Sequence, residues 1–150
     1  MAYTTVDDGS EYFTTTLYTG TGATRSVTNT ANAGDFRPDW VWIKARSFGE
    51  SHMLYDSTRG VTKDLRTDGS NAENTNTTGL TSFDTNGFST GSMQNVNKNT
   101  STYVAWQWKA NGGTTSSNSD GGITSTVQAN TTAGFSIVTY TGGGSATTVG

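Results

Sequence analysis

Two short segments constrain the fold more than any other part of the chain. In Phe36 to Arg46, Trp40, Trp42 and Lys44 alternate with Val41 and Ile43. A period of two places both indoles on one face of a strand and the β-branched residues on the other. Tyr103 to Lys109 repeats the design, with Trp106 and Trp108 alternating with Ala105 and Gln107. All four tryptophans of the protein lie in these segments. They are expected to be two core strands of one sandwich, candidates for neighbours in one sheet, with Trp40, Trp42, Trp106 and Trp108 in the structural core. Pro38, the only proline, precedes the first segment, where a fixed φ and a missing N–H suit the start of a strand.

A length of 150 residues suits one domain with a real core and hardly two. Hydrophobic residues make up 31% and charged residues 14%, both low, because threonine, serine, asparagine and 19 glycines fill the chain. Threonine favours strands and glycine and asparagine favour turns, so short strands joined by tight loops are expected rather than helices. A net charge of −3 with no basic run argues against nucleic acid or an anionic membrane as partner. The absence of cysteine excludes disulfides, thiolate metal sites and a cysteine nucleophile. No apolar run reaches the length of a membrane span, and the first residues lack the basic and apolar regions of a secretory signal. A soluble protein made in the cytosol is the expectation.

Along the chain, 1–11 reads as a polar N-terminal arm, and 12–111 as an antiparallel, jelly-roll-like β-sandwich. Within it, His52 to Asp56 is the expected antiparallel mate of the first tryptophan strand. Asn86-Gly87 signals a hairpin between Leu80–Phe83 and Gly87–Ser92. Two polar loops, Asp68 to Gly79 and Asn95 to Thr102, are the expected sites of recognition. Residues 112–133, rich in glycine, serine and threonine, read as a flexible linker. Beyond it the sequence starts again: Phe135 to Tyr140 followed by Thr-Gly repeats the spacing of Phe13 to Tyr18 followed by Thr-Gly. Residues 134–150 are therefore expected to begin a second repeat, cut short, or to supply a lone strand that docks on another sheet edge.

The segments FRPDWVWIKAR, SHMLYDSTRG, LTSFDTNGFSTG and YVAWQWK together resemble a family of β-sandwich domains frequent in marine bacteriophage structural proteins. The residues that carry the resemblance include Pro38, Asp39, Trp42, Ile43, Lys44, His52, Asp56, Arg59, Gly60, Phe83, Gly87, Tyr103 and Trp106; Trp40 stands where that family has phenylalanine or another aromatic. The resemblance covers 12–111 and implies a laminin-G-like or concanavalin-like sandwich serving as virion material. It implies a tail, fibre or capsid-decoration component, assembled with other virion proteins and as a homo-oligomer, and located in the virion. It supplies no catalytic residues and no cofactor.

Candidate chemistry is sparse. His52 and Asp56 could form an acid–base pair, but four residues apart on a strand they are too far for a direct bond. The competing reading pairs Asp56 with Arg59 to fix the turn into Gly60. Asp84 to Gly87 lacks the ligand set of a calcium loop. A glycoside hydrolase needs two carboxylates about 5 or about 6.5–9.5 Å apart, and no motif marks them, so no enzyme, cofactor or metal is expected. Exposed tryptophans on a sandwich could stack on sugar rings, which makes a carbohydrate-binding adhesin, meeting a host-surface glycan, the alternative function. Tyr12, Phe13, Phe135, Ile137 and Tyr140 are the candidate assembly contacts, because unpaired strands gain by adding to another sheet edge.

Overall fold

The computed structural model describes residues 6–29 and 35–150. The strands are β1 (Phe13–Thr19), β2 (Arg25–Thr28), β3 (Trp40–Ala45), β4 (Met53–Asp56), β5 (Lys63–Arg66), β6 (Asn74–Thr75), β7 (Leu80–Asp84), β8 (Gly87–Thr90), β9 (Thr102–Trp108), β10 (Ser116–Asn118), β11 (Ser125–Asn130) and β12 (Phe135–Thr139). One helical turn, α1 (Gln94–Asn97), lies between β8 and β9, and a 3-10 turn, Gly9–Glu11, precedes β1. Every strand pairing is antiparallel. The chain is an all-β sandwich, as composition and alternation predict. Of the expected N-terminal arm, 1–5 lie outside the described residues.

The central sheet runs β1-β9-β3-β4-β5-β6, and a smaller sheet, β2-β8-β7, faces it. The two tryptophan strands are neighbours, with Trp40 opposite Trp108 and Trp42 opposite Trp106. The expected mate of β3 is also in place, with Trp42 opposite Leu54. Between the sheets lies one apolar cluster that joins Tyr18, Val41, Ile43, Ala45, Met53, Tyr55, Tyr103 and Ala105 of the large sheet to Val27, Leu80 and Phe88 of the small one. The buried tyrosines keep their hydroxyls satisfied at the rim of this core. Tyr18 donates to the Val96 carbonyl at 2.7 Å and Tyr103 to the Gln94 carbonyl at 2.6 Å. Burial pushes the phenols of Tyr18 and Tyr55 well up from their usual range, and in Tyr55 the nearby Asp64 adds to it.

The β7–β8 hairpin forms where Asn86-Gly87 predicts one, but Asp84 pairs with Gly87, so Thr85 and Asn86 are the turn residues. Gly87 instead opens β8 with φ +110°, and a Cβ there would run into the Val27 carbonyl of β2. The glycine therefore permits close approach of two strands as well as the turn.

Three expectations need correction. The four tryptophans are absent from the core: each is half-buried and lies on the opposite face of the central sheet. The segment 95–102 is no free recognition loop, because Val96 and Asn97 are fully buried and Asn97 holds three backbone groups, donating to the carbonyls of Ala23 and Gly91 and accepting from the Thr21 N–H. The expected linker, 112–133, contains β10 and β11, and β12 pairs with β11 to complete a third sheet, β10-β11-β12. Residues 134–150 thus supply β12 to this sheet and are no lone strand.

The third sheet is held by polar contacts around Gln128 and Asp39 together with Phe135 against Trp108 and a buried Ile137, and β10 and β11 carry too little apolar alternation to announce them. Gln128 of β11 is fully buried. Its Nε2 donates to Ser57 Oγ at 3.0 Å and Thr58 Oγ1 at 2.8 Å, while its Oε1 accepts from the N–H groups of Asn111 at 3.1 Å and Gly113 at 2.8 Å. Asp39, also fully buried, accepts from Ser57 Oγ at 2.7 Å and from the N–H groups of Ala110 and Gly112 at 2.8 and 2.9 Å. Arg37 completes the set on the same carboxylate. A buried network with its acceptors filled in this way fixes one docking geometry, because any displacement leaves charged or amide groups without partners.

Candidate functional site

The outer face of the central sheet is built by register. Phe13, Trp108, Trp40 and Asp56 lie opposite one another across β1, β9, β3 and β4. In the next row Thr15, Trp106, Trp42, Leu54 and Leu65 stand side by side. Beyond them come Leu17, Val104 and Lys44. Period two puts all of these on the face away from the apolar core.

The indoles touch one another. Ring centroids are 4.6 Å apart for Trp40–Trp108, 5.0 Å for Trp42–Trp106 and 6.1 Å for Trp40–Trp42, within the range of favourable aromatic pairing. His52 lies 5.9 Å from Trp42, and the Trp42 Nε1–H donates to Thr67 Oγ1 at 3.0 Å. The two phenylalanines of the repeated motif meet on the same ring: Phe13 is tilted against Trp108 at 4.6 Å and Phe135 is stacked on it at 6.0 Å. The matching tyrosines part company, since Tyr18 is buried in the sandwich and Tyr140 is 58% exposed.

Two open concavities flank Trp40. The larger, about 710 Å³, lies between the outer face of β3–β5 and the edge of β12, walled by Trp40, Leu54, Leu65, Arg59, Glu73 and 135–140. The smaller, about 380 Å³, is walled by Trp40, Trp42, His52, Thr67 and Asp68. Both fall in the size range of ligand sites, and each combines apolar walls with a few polar groups. A third hollow of about 380 Å³ surrounds Phe13, Trp108 and Phe135 at the N-terminal end of β12.

Asp56 and Arg59 are joined in a partly buried ion pair, Arg59 Nε to Asp56 Oδ2, at 2.6 Å. The other Asp56 oxygen accepts from the N–H groups of Thr58 and Arg59, and the Asp56 carbonyl accepts from Gly60 N–H, so the pair secures the turn that leaves β4. Arg59 also reaches Glu73 at 3.1 Å and the Leu54 carbonyl at 3.4 Å. His52 does not join this group; it stands with Trp42 at the other concavity. Among the described residues no three of His, Cys, Asp or Glu come together to hold a metal ion. No helix among them is long and apolar enough to cross a membrane.

Of the candidate assembly contacts, Phe13 is 37% and Tyr140 58% exposed, whereas Ile137 is buried and Tyr12 and Phe135 are half-buried. Asp68 and Glu73 on the rims lie in the loop expected to serve recognition, whereas sequence reasoning missed the roles of Asp39 and Gln128, which hold β12 in place as the far wall of the larger concavity. Nothing in their spacing marks them; only the Pro38-Asp39 pair before a strand could have hinted at a buried carboxylate.

No curated protein and no solved structure matches the chain. The family model described as Domain of unknown function (DUF7483) matches 8–150. That span takes in the sandwich, the buried Asp39–Gln128 network that clamps β11 to it and the third sheet together, and the chain belongs to this family.

Proposed function

We propose that the chain is a saccharide-binding module of a structural protein, with the tryptophan face as its binding surface. The observation that carries the reading is the outward placement of all four tryptophans, each partly exposed, beside two concavities that share Trp40. Sugar rings offer apolar C–H faces to indoles and hydroxyls to nearby polar groups, and Thr67, Asp68 and Glu73 supply those groups here. The setting in a virion, as part of a tail, fibre or decoration, rests on the resemblance of the motifs to phage structural domains.

Titrating the protein with a panel of oligosaccharides, read by tryptophan fluorescence and calorimetry, tests it. At least one saccharide is expected to bind, and Trp42→Ala to weaken it by about tenfold or more, roughly 1.4 kcal/mol, with the fold kept. A panel without a binder, or a Trp42→Ala variant that binds as well as the parent, overturns it.

A second reading, assembly through strand edges, has its own observation. Leu17 of β1 is 59% exposed and Val138 of β12 is 42% exposed, and among the described residues each strand has a neighbour on one side only in its sheet. Unprotected edges of this kind recruit further strands. Native mass spectrometry is expected to find oligomers that Leu17→Lys and Val138→Lys reduce; a monomer at high concentration overturns this reading.

A further inference from the structure

The walls of the two concavities carry more information than the presence of tryptophan alone. We infer that the site takes a neutral oligosaccharide of at least two rings laid across Trp40, and that it rejects acidic saccharides. The inference rests on the saccharide-binding reading and names its ligand class.

The first part follows from geometry. Trp40 walls both concavities, so a ligand laid over that indole reaches from one lobe into the other. On one side it would meet Trp42, His52, Thr67 and Asp68, and on the other Leu54, Leu65 and Glu73. A single sugar ring can occupy one lobe; only a chain of rings reaches both.

The second part follows from charge. The walls hold three carboxylates, Asp56, Asp68 and Glu73, against one guanidinium, Arg59. Arg59 is already committed: Nε serves Asp56, Nη1 serves Glu73 and Nη2 serves the Leu54 carbonyl, so its charge is matched by two carboxylates and three of its five N–H groups are engaged. Lys63 stands 3.9 Å from Glu73 and Nζ also donates to Thr75, so it is engaged outside the walls. Asp68 is exposed, and no ion pair or hydrogen bond joins its carboxylate to a described residue. An acidic sugar would therefore approach the Asp68 carboxylate, while Arg59, the one guanidinium among the described lining residues, already has its charge matched by Asp56 and Glu73. Sugar hydroxyls, in contrast, are donors, and carboxylates accept from them in charge-assisted hydrogen bonds.

The experiment uses the full chain and two sets of probes at low salt: neutral tetrasaccharides (β-1,4-linked glucose, xylose and mannose) with their monosaccharides, and tetragalacturonate with a sialylated oligosaccharide. At least one neutral tetrasaccharide is expected to bind, with its monosaccharide and both acidic probes weaker by about tenfold or more. Trp40→Ala is expected to lose the advantage of the tetrasaccharide over the monosaccharide. Asp68→Lys, a rim change on an exposed residue, should bring the acidic probes closer to the neutral ones, and the difference should shrink with added salt. Acidic probes that bind as well as neutral ones overturn the inference while leaving the saccharide-binding reading in place. A monosaccharide as tight as its tetrasaccharide overturns the two-lobed site. If neither set binds, both this inference and the reading beneath it fall.

Discussion

The two faces of the central sheet are made by the same strands, yet they have opposite fates. The inner face carries Val41, Ile43, Ala45, Met53, Tyr55, Tyr103 and Ala105, together with the polar Thr14, Thr16 and Gln107, and all are buried. The outer face carries four tryptophans, Phe13, Leu17, Leu54 and Leu65, and most of it keeps contact with solvent. By side-chain size alone the outer face is the more hydrophobic, so hydrophobicity did not choose which face is inside. Shape did. The small sheet lies over a surface of small and medium side chains, and the buried tyrosines reach its rim, where the carbonyls around α1 accept their hydroxyls. Four contiguous indoles would hold the sheets further apart than that arrangement allows.

The contrast can be broken first at the inner face. Phe88→Ala removes a fully buried ring from between the sheets, and a loss of about 3–5 kcal/mol is expected, measured by equilibrium urea unfolding. If the outer face were the true core, this change would cost no more than a tryptophan truncation. Gln128→Ala comes next: it strips partners from Ser57, Thr58 and the N–H groups of Asn111 and Gly113, with an expected cost of about 1–3 kcal/mol. Hydrogen exchange should show faster exchange in β10–β12 while β3 and β9 stay protected; uniform exchange across all sheets would mean that the clamp does not act locally. Trp42→Ala on the outer face is expected to cost about 1–2 kcal/mol, below a buried aromatic because much of its surface is already wet.

The smallest effect concerns pH. Asp64 of β5 is buried on the inner side, and burial raises its carboxyl above the usual range, opposed by Asn74, Arg66 and Arg59 and reinforced by Glu73. A raised folded pKa gives a contribution to stability that is complete below the unfolded value, about 3.9, and is lost as pH rises through the folded value. The melting temperature of the parent relative to Asp64→Asn should therefore fall as pH rises from the acid range towards neutrality. A difference that stays constant with pH would refute this assignment.

Strand positions and partners were legible because period two and turn residues are local signals. The β3–β4 hairpin, the β7–β8 hairpin and the two tryptophan strands all lie close to where the sequence places them. Which face of β3 and β9 is inside was not legible, since both faces carry apolar residues and the polar cues conflict: Lys44 shares the outer face with the tryptophans, while Gln107 points inward and donates to Thr16 at 3.0 Å. In β1 the large apolar residues Phe13 and Leu17 point outward while Thr14 and Thr16 point in, so the local pattern again inverts the packing. The third sheet was hidden for a different reason. Its docking depends on Gln128 and Asp39, whose partners, Arg37 apart, lie from 15 to 73 residues away in the chain, and polar strands rich in serine and threonine look like linker. Of the candidate site, the tryptophans were visible in the sequence but assigned to the core, and the rim residues Asp68 and Glu73 were visible only as loop.

The contact between the indoles carries a consequence for observation. Four rings in a chain of centroid separations between 4.6 and 6.1 Å are close enough for their electronic transitions to couple. The same cluster touches β1 through Phe13 and the third sheet through Phe135. Exciton-coupled circular dichroism from this cluster is thus an intrinsic optical gauge of the outer face: a ligand crossing Trp40, or a third sheet coming loose, would each register in the spectrum without any attached dye.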